Sequence, residues 1–437
     1  MIKFTKINNE LKSDLVLYLL IIVVILIAIG RLTNVYIEHD DWDFMIKPEF
    51  SEYATPWSKT LSEGRWITFI WSKIAIGLSP SLLFVIFIAG YSFLCWNISI
   101  TITNGGLQRV LTGLALFSCP LYSEFSSWPA TTIPSVWIAL LLFTSIIKLN
   151  CSYTSIFFMS FVMSLVYPPL GLVCLIFSEC NSVSPYKTLF NCISYFIGFL
   201  LGIIVIYTLN GIFHDFFGII PEGWRNFNKI ESVDDLAINL IKSKENLLFF
   251  LKTYYFSITV SLLSILFGFI NKNKSSLPLL LVGSFCFILD ASLSVYTGMD
   301  VSARNFIWPW FYMIACVSSL VFNHKINKLC ELKKISIYYI FVFSIIFLYG
   351  IKVWTTRADY YTIVSQYVQM IGTQISQDKS SVILACGEPK YVSRKYMKMF
   401  VRKTYNIEVK DADYNKCSEF SSIGLNRLEG NTYFLYP

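Results

Sequence analysis

The chain has 437 residues, 55% of them hydrophobic and only 14% charged, against roughly a quarter charged in an ordinary water-soluble domain. A mean hydropathy of +0.58 leaves too little polar surface to cover one soluble core, which excludes a soluble enzyme or binding module and points to a polytopic membrane protein. A net charge of +7 suits a nucleic-acid partner when it forms a patch on a soluble domain, but here the basic residues lie mostly between apolar segments and mark topology instead.

The first apolar run, 15–35, follows Lys3, Lys6 and Lys12. It lacks a small-residue cleavage site and many similar runs follow, so it reads as a retained anchor. At its exit stands YIEHDDWDF, residues 36–44, with Glu38, Asp40, Asp41 and Asp43. Further apolar segments at 81–102, 107–122, 134–149, 152–167, 168–180, 188–210, 247–270, 277–293, 305–322 and 336–353 bring the expected number of spans to about eleven. Several fall short of the ~20 residues that cross ~30 Å of hydrocarbon, the pair around VYPPLGL most clearly.

An inside N-terminus gives the cytoplasmic segments Lys3, Lys6, Lys12, Arg109, Lys148, Lys187, Lys272, Lys274, Lys325, Lys328, Lys333 and Lys334, whereas the outer turn 294–304 carries Arg304 alone. That asymmetry obeys the positive-inside rule and puts three long segments outside: 36–80, 211–246 and the tail from about 354. In WSKTLSEGRWITFIWSKIAIG, Trp57, Leu61, Trp66, Phe69 and Ile70 share one helical face, which suits a helix lying in the interface. A span over 66–79 is the alternative, and it would invert everything downstream.

The tail changes composition after Tyr360. YYTIVSQYVQMIGTQIS is an amphipathic helix candidate, SVILACG a short strand, VSRKYMKMFVRKTYN a basic helix and NTYFLYP a final strand. The expected organisation is a transmembrane domain over 1–353 and a small outer α/β domain over 354–437. Nine of the 11 cysteines lie in or beside apolar runs and read as packing residues. Cys386 and Cys417, both in the tail, can form a disulfide in an oxidising compartment or remain two thiols. No CxxC or His/Cys cluster suggests zinc.

The acidic group after the first span is either a solvated cap or chemistry. Crowding Asp40 and Asp41 beside Asp43 and Glu38 raises at least one carboxyl pKa, which suits a group that takes a proton from a hydroxyl; holding a divalent cation is the other role open to it. Arg65, Lys73, Arg225 and Arg304 are outer cations able to face a phosphate, although an isolated Arg such as Arg304 also serves as an interfacial anchor. Arg31 reads as a snorkelling residue or a partner for the acidic group. Within GIFHDFFGIIPEGWRNF, Glu222 and Trp224 suit a sugar acceptor, and the same aromatics also suit plain packing on the membrane. His214 and Asp215 are neighbours in sequence with no nucleophile motif beside them. Asp290 in FILDASLS is the conspicuous carboxylate of the spans.

An inside first helix, DDWDF opening the first outer loop, a helix ending in EGRW, about eleven spans and an outer tail together resemble a GT-C membrane glycosyltransferase. The size, the DDW and GRW pieces and the Tyr/Phe-rich spans resemble, within that class, the phage-encoded serotype-converting O-antigen glucosyltransferases of the Gtr family. The resemblance covers the whole topology, and its motifs are short. It implies a mainly α, polytopic GT-C fold in the bacterial inner membrane. The implied reaction passes glucose from undecaprenyl-phosphate-glucose to a hydroxyl of lipid-linked O-antigen on the periplasmic face. It implies a first-loop aspartate, Asp40 or Asp41, as general base, and a reaction without cofactor or metal. Arg304, Arg65, Lys73 and Arg225 are then the candidates for the donor phosphate, and Asp43, Trp42, Trp224, Glu222 and Asp290 for the sugars. A transferase acting on lipid A or protein, a polyprenyl-sugar flippase or transporter and an O-antigen polymerase are the competing expectations; transporters usually carry repeats and midplane charge, and no repeat is evident.

Overall fold

The computed structural model describes residues 2–33, 35–46, 55–103, 106–149, 152–299, 305–322, 339–359, 362, 382–385, 401, 403, 409–411, 424–427 and 432–436. The helices in chain order are α1 (Ile2–Ala28), α2 (His39–Trp42), α3 (Ser58–Glu63), α4 (Trp66–Ala75), α5 (Pro80–Ile102), α6 (Gly106–Phe117), α7 (Pro120–Phe125) and α8 (Pro129–Lys148). They continue as α9 (Tyr153–Ser164), α10 (Pro168–Glu179), α11 (Pro185–His214), α12 (Val233–Ile270), α13 (Ser276–Thr297), α14 (Trp308–Phe322) and α15 (Tyr339–Asp359). The protein is mainly α-helical, and among the described residues seven helices are long and apolar enough to cross a membrane: α1 from Glu10, α5, α8, α11, α12, α13 and α15.

Local chemistry starts these helices where they start. Ser79, Ser152 and Ser184 each accept a backbone N–H of the first turn of α5, α9 and α11, and Pro80 and Pro185 follow two of these caps. Such a cap satisfies a donor that the helix itself cannot. A full capping box of Ser232 and Asp235 opens α12, so this helix runs unbroken through residues 233–246, which the sequence reading left in an outer segment.

The remaining four apolar segments behave differently. α6, α9 and α10 have 12 residues and α14 has 15, or about 18–22 Å at 1.5 Å per residue, too short to cross ~30 Å alone. The eleven expected segments therefore divide into seven of spanning length and four shorter ones. Pro168 and Pro169 in VYPPLGL enforce the break between α9 and α10, because proline cannot continue the ladder and biases the residue before it to extended backbone; Tyr167 has φ −159° and ψ 93°. Backbone that leaves the helix within the bilayer must be buried in protein or line a cavity. The connections accordingly carry buried Ser118, Tyr122, Ser126, Val166, Phe306 and Ile307.

The segment expected to form one interfacial helix does not do so. Gly64 takes φ 71° and ends α3, and a Cβ there would press on Ile206 of α11. The chain turns, so that Trp57 and Trp66 meet edge to face with ring centroids 5.8 Å apart. With 10 residues, about 15 Å, α4 is also shorter than a span. In the tail, β1 (Val382–Ala385), β2 (Val409–Asp411), β3 (Gly424–Arg427) and β4 (Thr432–Tyr436) make a sheet of order β2-β1-β4-β3, parallel except for the β3/β4 pair. β1 and β4 fall in SVILACG and NTYFLYP. Cys386 and Cys417 lie outside the described residues, as does most of the basic helix candidate. Seven of the packing cysteines, Cys95, Cys119, Cys174, Cys180, Cys192, Cys286 and Cys316, are buried thiols.

Candidate functional site

The site begins with a helix that has no cap of its own. Trp128 precedes α8 and offers no side-chain acceptor. Asp41 supplies it from 89 residues away: its Oδ2 accepts the Ala130 N–H at 2.6 Å and its Oδ1 the Thr131 N–H at 2.8 Å. Asp41 is 0% exposed. Burial pushes its carboxyl pKa up to about 7, against the two N–H bonds and the nearby Lys59, which pull it down. A carboxylate on the positive end of a helix is favoured by the dipole, and each of its oxygens keeps a second lone pair.

A proline places the next element. Pro134 lies inside α8 and has no N–H to give the carbonyl four residues earlier. That carbonyl, of Ala130, accepts the Trp71 indole N–H at 2.8 Å instead, which pins α4 across the top of α8. At the α3–α4 corner stands Glu63, its side chain only 7% exposed and surrounded by cations. Arg65 Nε lies 2.5 Å from Oε2, Arg225 Nη2 donates to Oε1 at 2.6 Å, and Lys59 Nζ lies 4.0 Å from Oε1. Burial pushes the Glu63 pKa up, but Arg65, Lys59 and Arg225 outweigh it and hold it at about 2. Three cations thus converge on one carboxylate, and their N–H groups are the kind that also bind a phosphate.

Two cavities meet at this cluster. A small one of about 30 Å³ is lined by Lys59, Glu63 and Arg65 with Trp128, Thr131 and Thr132 of the capped α8 terminus. The other, of about 360 Å³, has Glu63, Arg65 and Arg225 in its wall and continues down an apolar passage past Leu172, Phe199, Ile203 and Leu293. Tyr167 and Asn305, joined by a 3.3 Å hydrogen bond, come from two of the connections that stop inside the bundle. Asp290 completes the polar wall, with Trp308 Nε1 donating to its Oδ2 at 2.7 Å.

The structure thus brings together Arg65, Arg225 and Asp290 around one cavity, with Asp41 behind the helix terminus that lines the small one. Trp42 and Asp43 are buried, and the Trp42 indole donates to the Ile37 carbonyl. Lys73 is exposed over the Phe69 ring, outside both linings. Glu222 is half-buried, and its carbonyl accepts the Arg225 N–H. Arg31 is buried, donates to Ser126 Oγ at 2.8 Å and covers the Phe84 ring. His214 packs on Trp57 and shares a 2.7 Å hydrogen bond with Thr60. Arg304 and the side chains of Asp40 and Trp224 lie outside the described residues. Lys59, Glu63, Tyr167 and Asn305 escaped the sequence reading as site residues; the i, i+4 spacing of Lys59 and Glu63 was the one visible signal.

Among the described residues no group of three His, Cys, Asp or Glu side chains converges on a point where a metal would sit. No family model, curated protein or solved structure matches the chain.

Proposed function

We propose that the chain is a membrane glycosyltransferase. In this reading it moves glucose from undecaprenyl-phosphate-glucose to a hydroxyl of lipid-linked O-antigen on the periplasmic face of the bacterial inner membrane. One observation carries the reading: a single cavity has a cationic end, Arg65 and Arg225 around Glu63, and an apolar passage between α10, α11 and α13. A polyprenyl phosphate has this polarity, a charged head and a hydrocarbon tail. In this reading the N-terminus is cytoplasmic and the tail periplasmic, so that the cationic end faces the periplasm.

In the reaction the acceptor hydroxyl oxygen forms a bond to the anomeric carbon. The bond from that carbon to the phosphate oxygen breaks, and the phosphate leaves with the electron pair. Charge grows on the phosphate in the transition state, where Arg65, Arg225 and Lys59 stabilise it. The hydroxyl proton passes to the first-loop pair, Asp40 or Asp41. A carboxyl with pKa about 7 suits that role, because a base titrating near the working pH is both free and strong enough to act. No general acid is needed for a leaving phosphate of low pKa.

A second reading, polyprenyl-sugar transport, gains from Asp290, an ionisable group in the cavity wall between spans. The test is reconstitution in vesicles with lipid-linked glucose and O-antigen acceptor, read by mass spectrometry. One added hexose with the wild type and none with an Arg65→Ala/Arg225→Ala double variant supports transfer. Movement of the lipid between leaflets without added hexose supports transport and overturns the transferase reading.

A further inference from the structure

The cationic cluster accounts for a phosphate and the apolar passage for a tail, but neither accounts for Asp290. A carboxylate on a membrane-spanning helix is costly and is retained where it faces a partner or a cavity. Asp290 is half-buried on α13, and among the described residues no cation lies within ion-pair distance of it. Its Oδ2 is held by the Trp308 indole at 2.7 Å, whereas no donor among the described residues reaches Oδ1. The residue lines two cavities at once, the large one that contains Arg65 and Arg225 and a smaller one of about 50 Å³. Around it stand Ser294, Asn246 and a group of rings, Phe250, Phe306 and Trp308, with Phe250 5.1 Å from Phe306 and 6.0 Å from Trp308.

This chemistry selects among ligands. A phosphate is repelled by a carboxylate that has no cation beside it among the described residues, and a hydrocarbon leaves it unsatisfied. A neutral sugar does neither: its hydroxyls donate to the carboxylate while its C–H faces rest on aromatic rings. We infer that Asp290, oriented by Trp308, binds the hexose of the lipid-linked donor through ring hydroxyls and so determines which sugar is accepted. The inference rests on the lipid-phosphosugar reading above, which assigns the phosphate of the same molecule to the cationic end of the same cavity.

The test measures binding of two probes, polyprenyl phosphate and polyprenyl-phosphate-glucose, to the reconstituted wild type, Asp290→Asn and Trp308→Phe. The expected result is that the wild type prefers the sugar-bearing lipid by on the order of tenfold, as for a hydrogen bond to a charged group, and that Asp290→Asn removes the preference while bare polyprenyl phosphate binds at least as tightly as to the wild type. Trp308→Phe keeps an aromatic side chain but removes the indole N–H that holds Asp290, so it reports on the same contact if Asp290→Asn fails to fold, and it weakens the preference. Equal wild-type affinity for both lipids overturns the sugar subsite and leaves the phosphate site standing. Loss of both lipids in parallel in the variants assigns Asp290 to structure and also overturns it. Binding of neither lipid by the wild type overturns the lipid-phosphosugar reading, and the subsite with it.

Discussion

Replacing Glu63 by Gln separates what holds the site together from what it binds. The carboxyl is held at about 2 against an ordinary 4.5, a gap worth roughly 3 kcal/mol at 1.36 kcal/mol per tenfold. Because the folded pKa is depressed, this contribution is present above pH 4.5 and is lost as pH falls toward 2. Glu63→Gln therefore costs on the order of 3 kcal/mol at neutral pH. It also frees the two guanidinium groups that bracket Glu63 at 2.5 and 2.6 Å. The variant should melt below the wild type in detergent at pH 7, and the difference should shrink on acidification. Polyprenyl phosphate should restore part of the loss, since its phosphate replaces the missing anion. Equal melting points at pH 7, or a gap untouched by the lipid, would refute the view that Glu63 stands where an anionic ligand is received.

Other variants probe neighbouring elements. Asp41→Asn should lower transfer by ~10²-fold or more if the base role is right, and wild-type turnover should rise as pH passes about 7, the value to which Asp41 is pushed. The stability sign is opposite to that of Glu63: a raised carboxyl pKa stabilises the fold below about pH 4 and less as pH climbs through 7, so wild-type melting should fall over that window and the Asn variant should stay flat. A Cβ at Gly198 would overlap the Phe157 carbonyl, which is backbone, whereas one at Gly202 meets the Ser164 side chain and comes no closer than 3.1 Å to the backbone Phe161 carbonyl. Gly198→Ala should then lower thermal stability by ~1–3 kcal/mol and by more than Gly202→Ala. Lys403 donates to the carbonyls of Met45 and Ile76 at 2.5 and 2.7 Å, so Lys403→Met should speed amide exchange around 43–46 and 74–78 without changing it in α11.

Hydropathy reveals where apolar segments lie and is nearly blind to where a helix stops inside the bilayer. The 12 residues of α9 and of α10 are as apolar as a span, and the two prolines between them are the one local sign that the hairpin ends early. Arg65 and Arg225 stood out in the sequence as cations able to face a phosphate, yet their shared partner Glu63 lies 162 residues from Arg225, and no local pattern predicts such a meeting. DDWDF stood out by its charge, but its position does not show that Asp41 would cap a helix whose own N-terminal residue is Trp128. The interfacial pattern over 57–70 was read from periodicity alone. Gly64, whose φ of 71° breaks that period, is a residue type that often ends a helix, and the aromatic stripe masked it.

The short helices and the charge cluster have one physical cause. A full-length helix satisfies its own backbone and fills its own cross-section, leaving no room for a ligand. A helix that stops part-way leaves polar backbone in a medium that cannot hydrate it, and the chain has to surround that end with polar side chains or leave water-accessible space. The connections at 118–128, 165–167 and 305–307 do both: Tyr167 bonds to Asn305, and the linings of the two cavities at Glu63 include Phe125, Tyr167 and Phe306. Burying charge above such a site is tolerable because Glu63 and the cations beside it, at 2.5 to 4.0 Å, satisfy one another. The polar groups that let these helices end inside the bundle are therefore the same groups that give the cavity its chemistry.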